Sequence, residues 1–493
     1  MNILLRLLLL GVIPLLVSCG KSPRQQLEEM SISFTPQGFC AAAQAGNTNA
    51  VSLFLKAGMK ADAASEAGWT PLTSACHGNQ PETVRILLES GANPNENGGA
   101  KDGLQQLAAQ SAWELGGASS PKQPDVSPLM IAAHQGNTDI AKLLLDKGAN
   151  PNATNAQKTT AINWAASNKH FDFVVFLANA KADPNLANNQ KQTPLLFASA
   201  HGHAAAVQAL LKAGANPNLP DREGQSPLML AALNSSAEIT ESLLAGGADP
   251  DLTDKNGSTA LMAALTKKNV HAAALILKKT KNVNQQAARA GRYTALMFAA
   301  MNGTPEIVTQ LLERGADVNI RADQNVTALM LSCLHKRSDL VKLLIARGAD
   351  LNLKENLNEN TALLTAINKG DLESVKLLLE AGADPNLGSK DGFTPLMLAA
   401  QNGQDAMAQA LIEKKANPDT GASGGKRAGL TALMVAAVKG HANIAQMLLA
   451  AGANPGVRDS AGATAWMYAR HNRQEEIAEL LKNAEAAASS TSK

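Results

Sequence analysis

Histidine and cysteine are the side chains here best suited to metal or nucleophilic chemistry, and their spacing assembles neither. His201 and His203 lie two apart, but no carboxylate or cysteine nearby completes a ligand set. Cys19, Cys40, Cys76 and Cys333 form no paired zinc-type motif. There is no nucleophile elbow, no Walker-type phosphate loop and no His-Glu-x-x-His helix. The sequence reading is therefore of a chain with no catalytic residues, no metal and no cofactor. The residues left for function are binding groups: scattered rings, histidines and a recurring cation.

Composition narrows what such groups could bind. The chain has 493 residues, a formal net charge of +2 and only 3% aromatic residues. A near-neutral, aromatic-poor chain argues against nucleic acid as a partner, which favours basic faces and stacking rings. Hydrophobic residues make up 45% of the chain, enough for a large core.

The elements that must position these groups come from self-similarity. A Thr/Ser-Pro/Ala-Leu anchor recurs at Thr70, Ser127, Thr160, Thr193, Ser226, Thr259, Thr294, Thr327, Thr361, Thr394, Thr431 and Thr464. Most spacings are 33 residues, as between Thr160 and Thr193. In the unit opened by Thr394, threonine caps a helix and Pro395 takes its first position. Leu396, Ala399 and Ala400 form a narrow apolar face, and Gly403 ends the helix. A second helix follows, with Leu411 and Ile412 facing the core, then a polar finger to the next unit. A degenerate first copy places Phe39 at the leucine position. One unit cannot bury its own face, so the stack is the fold.

With its Gly-Ala-Asn/Asp-Pro-Asn turns, such as Gly214 to Asn218 and Gly382 to Asn386, this pattern resembles the ankyrin repeat. The resemblance implies an all-α repeat solenoid of about 13 stacked ankyrin repeats over 35–483, each a helix-turn-helix with a β-hairpin finger. It also implies protein partners, bound by the concave groove and the fingers. On the groove the candidates are Trp164, Phe197, His201, Phe298, His335 and Tyr468; at the fingers they are Arg222, Lys255 and Arg321. A run of methionines, among them Met130, Met262, Met397, Met434 and Met467, stands where the family commonly has histidine; it reads as core filling. Asn79, Lys169, Ser235, Lys268, Lys336 and Arg473 replace the helix-ending glycine, and the repeats around 160–192 and 259–293 are the expected weak points. Cys40, Cys76 and Cys333 fall on core positions, as buried free thiols or, for the first two, a disulfide.

Three segments stand outside the repeat. Residues 97–126 form an insertion after the second repeat. In it Asp102 and Gln105 fit a capping box, and an added helix would carry Trp113 either outward as a binding residue or over a finger. Residues 484–493 read as a disordered tail. Residues 1–18 carry an apolar run from Leu7 to Val17, suited to a signal peptide. They end in Leu16-Val17-Ser18-Cys19, which resembles a bacterial lipobox. That resemblance implies cleavage before Cys19, acylation of Cys19, a flexible tether over 19–34 and, with Gly20 following, an outer-membrane lipoprotein facing the periplasm. The expected function is a non-enzymatic interaction scaffold on an envelope membrane. The alternative is a periplasmic inhibitor or immunity protein that occludes one toxin or enzyme.

Overall fold

The computed structural model describes residues 21–99, 125–234, 236–423 and 428–491. Among these residues the chain is thirteen helix pairs preceded by one short helix, so the fold is the all-α repeat solenoid expected. It divides into two compact units, residues 1–222 and 223–493. The first holds five of the pairs, from Pro36–Gln44 with Thr48–Lys56 to Pro194–Ala200 with Ala204–Lys212. The second holds eight, from Pro227–Leu233 with Ala237–Ala245 to Ala465–His471 with Glu475–Thr491.

Each anchor works as the sequence dictates. The Thr160 hydroxyl accepts the Asn163 N–H at 3.4 Å, and Thr394 accepts that of Met397 at 3.3 Å. These bonds satisfy a donor that the first turn leaves orphaned. Leu396, Met397, Ala399 and Ala400 are all 1% exposed or less, because small alanines let inner helices of neighbouring repeats approach closely. The methionines are core filling, except in the last repeat, where Trp466 and Met467 are exposed. Asn79, Lys169, Lys268, Lys336 and Arg473 do adopt the left-handed conformation of the glycine they replace, with φ between 55° and 63°.

The Asn/Asp-Pro-Asn turns explain themselves as a ladder. The first side chain closes its own turn: Asp317 Oδ1 accepts the Asn319 N–H at 2.9 Å. The second reaches forward: Asn319 Oδ1 accepts the Asp350 N–H at 2.9 Å, and its amide donates to the Gly348 carbonyl at 3.1 Å. The same forward bond runs from Asp62 to Asn93 in the first unit and from Asp419 to Asn454 in the second. At the final turn Gly456 stands in place of the second Asn, so the ladder has no further rung. Fingers join through their backbones, as Asn189 N–H donates to Gln157 at 3.0 Å. They are turns rather than regular hairpins; among the described residues one bridge within a finger pairs Gln286 with Thr294.

Four sequence expectations need correction or limits. Residues 23–29 are a helix, not part of a flexible tether. Ser22 and Gln25 form a reciprocal capping box, Leu27 is fully buried, and the Arg24 guanidinium lies 4.3 Å over the Phe34 ring. In the first repeat Thr35 caps the helix at Gly38, lengthening it ahead of Phe39, which keeps its core place. The last helix runs on to Thr491 instead of giving way to a disordered tail at 484, since Ala484, Ala486, Ala487 and Ala488 are strong helix formers. The ends of the insertion pair antiparallel, Gly98 with Val126 and Gly99 with Asp125. Its expected helix, Trp113, residues 1–18 and Cys19 lie outside the described residues. No helix among the described residues is long and apolar enough to cross a membrane.

Candidate protein-binding face

In the first unit the inner helices bring rings together, Trp164 from mid-helix and His77 and His134 from last turns. Trp164 is half-buried, and its ring meets that of His134 edge-on at 5.5 Å. The Asn168 amide donates to the Trp164 carbonyl at 2.9 Å and lies 3.2 Å from His134 Nδ1. His170 Nε2 donates to the His134 carbonyl at 2.9 Å. Burial, then the neighbouring His170 and His77, hold the His134 imidazole below its ordinary pKa. Burial does the same to His77, which packs on Trp69 at 5.3 Å. Protonating His134 at Nδ1 would set an N–H against the Asn168 amide, so geometry and burial agree that it is neutral at pH 7.

The other two groove candidates of this unit fare differently. His201 Nδ1 donates to the Phe197 carbonyl at 2.9 Å, and its ring packs 5.9 Å from Phe171. Phe197 is only 6% exposed. It therefore belongs to the core and is not a partner contact. It shares the register position of Trp164, but its ring is folded into the stack. Arg222 is exposed at its finger, fixed through its backbone N–H to the Gln190 carbonyl at 3.2 Å.

In the second unit the corresponding face is more aliphatic. Phe298 is half-buried against Tyr293, with ring centroids 5.8 Å apart. His335 is exposed beside Leu334, which is 41% exposed and which sequence reasoning missed. Its place seven residues after the Thr327 cap, where other repeats carry His77 and His134, is the signal that could have found it. Lys255 Nζ pairs with Glu223 at 3.3 Å. Arg321 is exposed, and its carbonyl accepts from the Gln286 amide at 3.0 Å. The Tyr468 hydroxyl donates to the Asp459 carboxylate. That bond pushes the Tyr468 hydroxyl up in pKa. On Asp459, burial is outweighed by the hydrogen bonds from Tyr468, Ala463 and Ala461, and the carboxyl sits below its usual range. The Tyr468 hydroxyl thus serves its own finger rather than a partner.

The cysteines and titratable groups of the described residues complete the picture of this face. Cys40, Cys76 and Cys333 are free and buried, so the alternative disulfide is not formed. Burial pushes all three thiols up, away from the nucleophilic thiolate. No group of three His, Cys, Asp or Glu able to hold a metal occurs among the described residues. One string, Gly421-Ala422-Ser423-Gly424-Gly425, has the letter spacing of a nucleophile elbow. It follows helix Asp405–Glu413 and a turn, and among the described residues no strand leads into it, as such an elbow requires.

Stacked helix pairs with projecting fingers and rings on their inner helices define the architecture of a protein-interaction module. A family profile described as "Ankyrin repeats (3 copies)" matches overlapping windows from residues 8–98 to 420–491, and the chain belongs to the ankyrin-repeat family. It is similar to the human ankyrin repeat and SOCS box protein 3, at 28% identity over 24% of this chain and 19% of that protein. It is similar to the Caenorhabditis elegans ankyrin repeat and KH domain-containing protein mask-1, at 35% over 27% of this chain and 6% of that protein. A putative ankyrin repeat-containing protein of Treponema pallidum is 35% identical over 30% of this chain and 41% of its own length. The chain thus spans under half the length of each of these relatives.

Proposed function

We propose that this protein is a stoichiometric, non-enzymatic binder of a protein partner, held by a lipid on Cys19 to a bacterial envelope membrane. The observation that carries the binding part is the inner face of each unit, Trp164 in the first and Phe298, Leu334 and His335 in the second. These side chains are presented half-buried or exposed on helices whose opposite faces are locked into the stack. Such rigid, partly desolvated rings lose little entropy on binding and make effective anchors. The anchor rests on Leu16-Val17-Ser18-Cys19 after its apolar run. Similarity to a protein from the bacterium Treponema pallidum is in keeping with it. The outer membrane, periplasmic side, is the location this reading gives.

The anchor is tested by Cys19→Ala. In the native host, membrane fractionation should move the protein from the membrane pellet to the soluble or unprocessed pool. Full retention of processed protein in the pellet would refute acylation at Cys19.

A further inference from the structure

Four lysines in a 34-residue stretch take the left-handed conformation: Lys158, Lys169, Lys181 and Lys191, with φ of 57°, 63°, 64° and 59°. In several other repeats glycine holds the matching places, although Arg292, Asn325 and Glu359 at finger turns and Asn79, Lys268, Lys336 and Arg473 at helix ends share the left-handed backbone. Gly257, Gly392 and Gly462 match the finger turns of Lys158 and Lys191; Gly136, Gly370 and Gly403 match the helix end of Lys169. A side chain there is strained and glycine is not. The strain is shared by those sites, and what distinguishes Lys158, Lys169 and Lys191 is their grouping around one helix and its two fingers.

Lys158, Lys169 and Lys191 are exposed and, among the described residues, stand in no ion pair. Lys158 and Lys191 occupy adjacent fingers, joined by the Asn189 to Gln157 backbone bond of 3.0 Å. Fingers 153–159 and 186–192 contain amides and these lysines but no carboxylate. By contrast, Lys255 has Glu223, and Lys354 has Glu359 at 3.1 Å. The helix between them, Ala161–Ser167, is about 10 Å long at 1.5 Å per residue, and carries Trp164 at its centre. Lys158 lies just before this helix and Lys169 just after it. The same repeat has two carboxylates, one of them three residues after Lys169. Asp172 heads the outer helix, and Asp183 accepts the Asn185 N–H at 2.9 Å in the turn beyond that helix.

From this juxtaposition we infer that Lys158, Trp164, Lys169 and Lys191 form the acceptor for an acidic segment of a protein partner. The inference rests on the protein-binding reading above and names the chemistry of what is bound. The lysines steer and pair with carboxylates, and Trp164, backed by His134, receives an apolar side chain. A membrane headgroup layer would offer similar charge but no single segment for the tryptophan to receive.

The test uses the full chain and fluorescein-labelled poly-L-glutamate, read by anisotropy. Two triple variants are compared: Lys158→Gly, Lys169→Gly, Lys191→Gly, and the same three sites changed to Arg. The glycine variant is expected to bind at least tenfold more weakly, with an unchanged or raised unfolding midpoint, because glycine relieves the strain while removing the charge. The arginine variant should retain binding. Undiminished binding by the glycine variant would overturn the assignment while leaving protein binding through other faces intact. A lowered midpoint with unchanged affinity would also overturn it, by showing that the lysines are structural. Failure to bind poly-L-glutamate, with lysine-dependent binding to phosphatidylglycerol vesicles, would overturn it in favour of a membrane surface.

Discussion

Phe54→Ala is expected to destabilise the N-terminal repeat by about 3–5 kcal/mol, the range for deleting a fully buried ring. Phe54 is 0% exposed and stacks between Phe34, at 5.6 Å, and Phe39, at 4.9 Å. Removing it opens a cavity under the helix Thr48–Lys56, against which the short helix Pro23–Glu29 packs. A stack transmits energy mainly between neighbours, so the loss should be local. Hydrogen exchange should accelerate over residues 23–56 and leave the repeats after Thr160 near wild type. Uniform acceleration across the whole first unit would contradict nearest-neighbour stacking.

Gly392→Val should cost about 2–4 kcal/mol, from left-handed strain and overpacking acting together. Gly392 has φ of 73°, and a Cβ there would stand 2.1 Å from the Ser423 backbone nitrogen and 3.0 Å from the Ala422 carbonyl carbon. The obstacle is the backbone of the next finger, which no side-chain rotation relieves. Thermal unfolding should show a lowered midpoint in the second unit. The same change at Gly382, whose Cβ would meet nothing within 4 Å, carries the strain without the clash and should cost less. Equal losses at the two glycines would remove the finger contact from the account.

These expectations show what the sequence makes legible. Caps, alanine faces and the 33-residue period are short-range signals, each tied to one residue type, and they place twelve anchors where helices begin. The Asn-Pro-Asn ladder is visible as a motif, but its forward hydrogen bonds join residues about 31 positions apart, as Asn319 and Asp350, and only the stack reveals them. The helix at Pro23–Glu29 was readable from Ser22, Pro23 and Gln25, yet a polar stretch behind an apolar leader invites reading as a tether. The candidate face was less legible. Phe197 and Trp164 share one register position, so periodicity cannot say that the first is buried and the second half-exposed. In sequence Lys158 and Lys191 are two finger cations without a neighbouring acid; that their fingers are joined, Asn189 N–H to the Gln157 carbonyl, is visible only in the stack.

The central claim is that the inner face of the helix pairs binds protein. The most direct measurement is site-specific photo-cross-linking in intact cells, with the reactive side chain at Trp164 or at Leu334 and, as a control, at Lys142 on an exposed outer helix. The account predicts discrete protein adducts from Trp164, Leu334 or both, and none of matching mass from Lys142. No adduct from either inner-face position, or the same adducts from all three, would contradict it.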